Sequence, residues 1–151
     1  MADDIFERVA VEAGPRRAEV LRIAHEALLA AEGDDAEAVG TALDKLDALA
    51  MTNAEAFAVV CGWTGAAAVA LGADGCTVAE TRWNEAVQPG DVEPALEIAA
   101  TMFTAIINRD LDGACELWRT LDGETPAAVA LHVLRLAATC TQDYRRRWAS
   151  Q

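Results

Sequence analysis

The chain has 151 residues, of which 53% are hydrophobic, and a formal net charge of -13 at pH 7. This length fits a single domain, and the negative charge disfavours nucleic acid and anionic membrane as direct ligands. Between Arg22 and Arg82 the sequence holds ten carboxylates and a single cation, Lys45. We therefore expect that a binding partner would present basic groups.

Alanine is the most informative part of the composition, with 34 residues. Alanine is the best helix former and adds little side-chain volume to a core, so this content predicts closely packed helices. No segment alternates polar and apolar residues as a half-buried strand would. The sequence predicts an all-α single domain over 1–151, a bundle of about seven to eight antiparallel helices. The alanine excess, with arginine at all but one of the 12 Lys and Arg positions, suggests a GC-rich bacterial or phage genome.

Turn and capping signals place the helices along the chain. The expected ranges are 5–13, 15 to about 31, 35–49, 54–71, 77–87, 91–107, 110–121 and 126 to about 147. The acidic turn before position 36 and the Thr52-Asn53-Ala54-Glu55 capping box predict two of these starts. Thr125-Pro126 predicts another, since proline is tolerated at the first helical position.

A faint internal repeat relates the two halves of the chain. When the sequence is shifted by 75 residues, seven of the 28 positions from Val20 to Asp47 are identical, including Asp35 with Asp110 and Leu46 with Leu121. This offset predicts two tandem three-helix units, 16–72 and 91–147, joined by the short helix at 77–87. An irregular antiparallel bundle is the alternative. The stretch from Gly33 to Ala38 also resembles the turn of tetratricopeptide repeats, without that motif's Trp, Tyr and Pro anchors, and indicates a helical hairpin.

Signals for catalysis are scarce. His25 and His132 stand on separate predicted helices, with neither the His-x-x-x-His spacing of zinc proteases nor the Glu-x-x-His spacing of di-iron bundles. No phosphate-binding glycine loop occurs, and Ser150 is the only serine. We expect no enzymatic activity, no cofactor and no metal site. The four cysteines are Cys61, Cys76, Cys115 and Cys140. We expect them to be reduced thiols, since three of the four fall within apolar helical runs.

The best candidate contact surface is an acidic face on the predicted helix at 35–49. Its members are Asp34, Asp35, Glu37, Asp44 and Asp47. Acids at a helix start are favoured by the helix dipole, so a solvated surface without a binding role explains part of this set. The functional interpretation is an electrostatic patch that docks a basic partner.

Two tryptophans complete the predicted contact residues. Trp148 follows the only dense basic run, Arg145-Arg146-Arg147, and Trp83 lies on the predicted helix at 77–87. Aromatic residues are enriched at the centres of protein interfaces. The arginine end of one molecule meeting the acidic face of another would give a homo-oligomer, which we keep as a further expectation.

Three functions follow from these features. We expect a non-enzymatic protein–protein interaction or adaptor module that binds a basic protein surface. The first alternative is an acidic inhibitor that mimics nucleic acid, and the second is a bundle that binds a small apolar ligand near Trp63, Met102 and Phe103. The first residues are acidic and lack an apolar signal core, so we expect a cytoplasmic protein.

Overall fold

The computed structural model describes residues 15–71 and 94–149, which form six α-helices without a strand. The helices are α1 (Pro15–Glu32), α2 (Ala36–Ala48), α3 (Asn53–Leu71), α4 (Pro94–Ile107), α5 (Leu111–Arg119) and α6 (Thr125–Ala149). The all-α prediction is confirmed. The helices predicted at 5–13 and 77–87 lie outside the described residues. Within those residues, no helix combines the length and apolar character needed to cross a membrane.

The C-terminal ends of α5 and α6 each differ by about two residues from the sequence prediction. α5 ends at Arg119 rather than Leu121, because Thr120 forms the C-cap and its hydroxyl donates to the carbonyl of Leu117 at 2.7 Å. This side-chain hydrogen bond competes with continuation of the helix. α6 continues past the predicted end at Arg147 to Ala149, in a stretch that contains neither glycine nor proline.

Side-chain caps position the helix starts. Asp35 Oδ1 accepts a hydrogen bond from the Ala38 N–H at 3.0 Å, and Asp110 Oδ1 accepts one from the Gly113 N–H at 3.0 Å. Each carboxylate satisfies one of the donors that a helix start leaves without an intrahelical partner. Residues 52–55 form the expected reciprocal capping box, in which each end's side chain accepts from the other's backbone N–H at 3.0–3.1 Å.

The turns that precede α2 and α5 have the same backbone geometry. Asp34 and Arg109, 75 positions apart, both have positive φ angles, 55° and 66°. The N–H groups of Asp34 and Arg109 each donate to the carbonyl three residues earlier, and those of Asp35 and Asp110 each donate to the carbonyl five residues earlier. These paired bonds close the ends of α1 and α4 as Schellman motifs.

The core lies where α3 packs against α6. α1 and α4 each contact both of these helices, whereas α2 packs mainly on α1 and α5 mainly on α4. Much of the core lining is alanine, and its largest fully buried side chains are Trp63, Leu21, Leu28, Met102 and Leu134. α2 and α5 are therefore the outer helices of the bundle, each with an exposed face.

Trp63 links the central pair to α1. Its indole N–H donates to the carbonyl of Ala24 at 2.8 Å, and the residue is only 2% exposed. A buried indole requires such an acceptor, because an unpaired N–H in the core would be costly. Trp118 has the corresponding role between α5 and α3, where its N–H donates to Asn53 Oδ1 at 2.9 Å.

The two matched caps give a stability prediction. Replacing Asp35 or Asp110 with alanine removes the acceptor of one N-terminal N–H group, so each variant should lose about 1 kcal/mol of unfolding free energy. Urea denaturation monitored by circular dichroism would measure this loss. Unfolding free energies equal to that of the wild type would show that these caps do not hold the turns.

Candidate protein-interaction surface

The acidic face, defined as Asp34, Asp35, Glu37, Asp44 and Asp47, lies on the outer side of the bundle. All five residues are exposed. The first two occupy the turn before α2, and the other three lie along the helix itself. The structure therefore places the five sequence-predicted acids on one helix and its leading turn.

Two members of the acidic face have a structural role. Asp35 is the N-cap of α2, as described above. Asp34 Oδ1 accepts a hydrogen bond from Gln142 Nε2 at 3.2 Å, and the same amide donates to the carbonyl of Glu32 at 2.7 Å. Gln142 thereby joins α6 to the end of α1, and the turn acids help to hold this junction.

The remaining three acids have no cation to compensate them among the described residues. The lysine of α2, Lys45, points to α1, where its Nζ lies 3.4 Å from Glu26 Oε2. No ion pair within the described ranges includes Glu37, Asp44 or Asp47. Three exposed carboxylates on one helix therefore give the surface a negative potential that extends into solvent.

Asp44 and Asp47 are also placed against the helix dipole. Glu37 is in the first turn of α2, where the positive end of the dipole favours a carboxylate. Asp47 is in the last turn, and Asp44 immediately precedes that turn. A negative charge near a helix C-terminus is destabilising, so helix formation does not explain these two acids.

Each flank of α2 carries a groove. The first, which we call the apolar groove, lies between α2 and α6 and has a volume of about 410 Å³. It is lined by Ala31, Asp34, Asp35, Ala36, Val39, Gly40, Leu43, Leu131, Leu134 and Arg135. No local sequence pattern indicates this groove, because its two walls are 88 positions or more apart in the chain.

The second groove, between α1 and α2, is more polar and has a volume of about 370 Å³. Its charged lining consists of Glu26, Asp35, Glu37 and Lys45. Because Lys45 and Glu26 are paired across it, this groove is partly neutralised. The apolar groove is thus the better site for an apolar group of a partner.

An ion pair holds the far end of α2. Arg16 Nε lies 2.8 Å from Glu55 Oε2, and the same guanidinium donates to the carbonyl of Leu49 at 2.9 Å. These contacts connect α1, the end of α2 and the start of α3. The hydrogen bond from Arg16, followed by that from the Thr52 backbone N–H, lowers the pKa of Glu55 from its ordinary value of 4.5.

The other predicted site residues are not brought to this surface. Trp83 lies outside the described residues, as does Cys76, and of Trp148 only the backbone, at the end of α6, is described. Arg146, in the basic run, is exposed and lies 3.8 Å from Asp143 on its own helix. The contact of the basic run with a second molecule stays a prediction.

The candidates for chemistry and for ligand binding lie elsewhere. Met102, Phe103 and Trp63 are buried in the core and line neither groove. Burial, with a smaller effect from Cys115, raises the pKa of the Cys61 thiol to about 12, so this thiol stays protonated at neutral pH. In the described part of the chain, no three His, Cys, Asp or Glu side chains converge as metal ligands would.

Comparison with protein-family models, curated proteins and solved structures gives no match. The geometry and charge of the acidic face and of the two grooves are therefore the observations that bear on function.

The lowered pKa of Glu55 predicts a pH-dependent stability. A carboxyl whose pKa is lower in the folded than in the unfolded state stabilises the fold above its unfolded pKa, and this contribution is lost as the pH falls through the folded value. The melting temperature of wild type should therefore exceed that of Glu55→Gln by more at pH 7 than at pH 3. The melting temperature of wild type should likewise exceed that of Arg16→Gln, which breaks the same ion pair, by more at pH 7 than at pH 3. An equal difference at both pH values would contradict this role.

Proposed function

We propose that the protein is a non-enzymatic interaction module that binds a basic surface of a protein partner through the acidic face of α2. The observation that carries this proposal is the position of Asp44 and Asp47. Both are exposed, neither is compensated by a described cation, and neither lies in the first turn of α2, where the helix dipole favours a carboxylate; at Asp47 the dipole is unfavourable. A feature that costs stability without a structural benefit is more readily explained by binding.

The electrostatics of such a contact favour recognition more than raw affinity. Complementary charge accelerates encounter and rejects partners of the wrong sign, and exposed carboxylates at a rim act in this way. The net charge of -13 extends this steering over the molecule. The complex should therefore weaken as salt is raised, because interactions between exposed charges are screened.

We further infer that the module consists of two three-helix units related by the 75-residue offset. The repeated turn geometry before α2 and α5 supports this. The buried positions of the third helix of each unit support it as well, because all seven coincide at an offset of 74. Those of α3 are Glu55, Val59, Val60, Trp63, Thr64, Ala66 and Ala67, and those of α6 are Val129, Val133, Leu134, Ala137, Ala138, Cys140 and Thr141.

The two units differ on their outer helices. At the 75-residue offset, Asp44 of α2 corresponds to Arg119 of α5, so the charge is reversed at this position. Thr41 corresponds to Glu116, and Asp47 corresponds to Asp122. The repeat thus provides a matched control surface within the same chain.

Charge reversal of Asp44 and Asp47 to arginine tests the proposed function. The double variant should lose partner binding by about tenfold or more, since it replaces attraction by repulsion at the contact. Its unfolding free energy should stay the same or rise by about 0.3–1 kcal/mol, because arginine at position 47 suits the C-terminus of α2. Affinity capture from cells of the source organism, quantified by mass spectrometry, measures partner binding. Urea denaturation measures the unfolding free energy.

The control is the double variant Glu116→Arg on α5 with Asp122→Arg in the segment that follows α5, which changes the net charge by the same amount on exposed positions. It should retain partner capture. If both double variants lose the partner equally, net charge rather than the acidic face carries the binding. Undiminished capture by the α2 variant would contradict the proposal.

A further inference from the structure

The apolar groove has a filled counterpart in the other half of the bundle. At the offsets given above, Leu43 of α2 corresponds to Trp118 of α5, and Leu131 of α6 corresponds to Phe57 of α3. Trp118 and Phe57 contact each other, with ring centroids 5.9 Å apart, and Trp118 is 2% exposed. The two aromatic rings thus close the space between α5 and α3.

At the corresponding positions of the apolar groove, both side chains are leucine. Leu43 and Leu131 both line the apolar groove and are only partly buried. The smaller side chains leave about 410 Å³ between α2 and α6. The space therefore lies where the corresponding positions of the other half hold an aromatic pair, and its walls suit an aromatic ring.

We propose that the apolar groove binds an aromatic side chain of a protein partner, and that arginine or lysine residues flank this side chain in the partner. The proposal rests on the proposed function and specifies which chemistry the partner presents. Aromatic anchors in desolvated pockets, surrounded by a polar rim, are the usual centres of protein interfaces.

The charges around the apolar groove determine which residues should flank the aromatic side chain in the partner. Asp34 and Asp35 line one end of it. Asp47 follows Leu43 by four positions, so it lies on the same flank of α2 one turn further along. Carboxylates thus stand at both ends of the α2 wall, and cationic side chains on each side of the aromatic anchor would complement them.

Arg135 completes the opposite wall. It is exposed, lines the apolar groove on α6 and follows Leu131 by one helical turn. A guanidinium can stack on the face of an aromatic ring, so Arg135 would cover an inserted ring from the α6 side. This arrangement favours an aromatic anchor over an aliphatic one.

Selection from a random 12-residue peptide library displayed on phage tests this recognition directly, because it does not require the natural partner. The library is selected in parallel on immobilised wild type and on Leu43→Trp, which copies Trp118 and fills the groove. Peptides enriched on the wild type should carry a Trp, Phe or Tyr with Lys or Arg within about one helical turn of it. Synthetic copies should bind Leu43→Trp about tenfold more weakly or worse, as should copies whose aromatic residue is replaced by alanine.

Two further variants serve as controls for this experiment. Leu131→Phe fills the groove from the α6 side, so it gives the same expected loss even where Leu43→Trp fails to fold. Leu111→Trp adds an indole on the exposed face of α5, where Leu111 is 53% exposed, and should leave peptide binding unchanged. Enrichment of peptides without an aromatic and basic pattern, no enrichment, or equal binding to the filled variants would overturn the inference.

The Asp44→Arg, Asp47→Arg variant separates this inference from the proposed function. Peptides that lose binding to the charge-reversed protein but not to the groove-filled proteins would support the acidic face and overturn the groove. Peptides that bind all variants equally would contradict both. Sedimentation velocity of the protein alone tests whether a second copy occupies the groove. If the wild type forms a dimer that Leu43→Trp dissociates, the groove binds a second copy, and this result would overturn the inference.

Discussion

The close packing of α3 against α6 is the contact on which the rest of the described structure depends. α1 and α4 each pack on both central helices, and α2 and α5 are added outside them. Small residues such as Ala66, Ala67 and Ala137 line the core and let backbones approach closely. Because alanine contributes little volume, a few large side chains decide where the helices sit, and Trp63 fixes α1 by a hydrogen bond to its backbone. The outer position of α2 follows from this layering, and it leaves one face of α2 in solvent with a groove on each flank.

The proposed function comes from a difference between two similar outer helices. α2 and α5 begin with the same turn and the same aspartate cap. α5 then covers its inner neighbour with Trp118, whereas α2 has Leu43 at the corresponding position. The tryptophan closes a space and the leucine leaves one open. The uncompensated acids lie on the helix that has the open groove, and this coincidence of charge and shape on α2 is the physical basis of the proposed contact.

Much of the fold could be predicted from sequence, because local signals carry it. Three helix starts are each marked by residues no more than four positions apart. The signals are the cap at Asp35, the capping box of Thr52 and Glu55, and the proline at position 126. The apolar groove could not be predicted in this way, since its shape depends on how far α2 stands from α6. One signal was nevertheless available: at the 75-residue offset Leu43 corresponds to Trp118, and the smaller side chain indicates missing volume beside α2. The role of Arg16 also escaped prediction, because a salt bridge to Glu55 spans 39 positions and leaves no local pattern.

Hydrogen–deuterium exchange of the protein alone and in complex with its captured partner would show whether α2 is the contact surface. Binding should slow exchange in the turn and helix at 33–48 and in the part of α6 that lines the apolar groove, 131–135. The turn and helix at 108–119, which include α5, should exchange at the same rate in both states. Slowed exchange on α5 with none on α2 would contradict the claim that the acidic face is the contact surface.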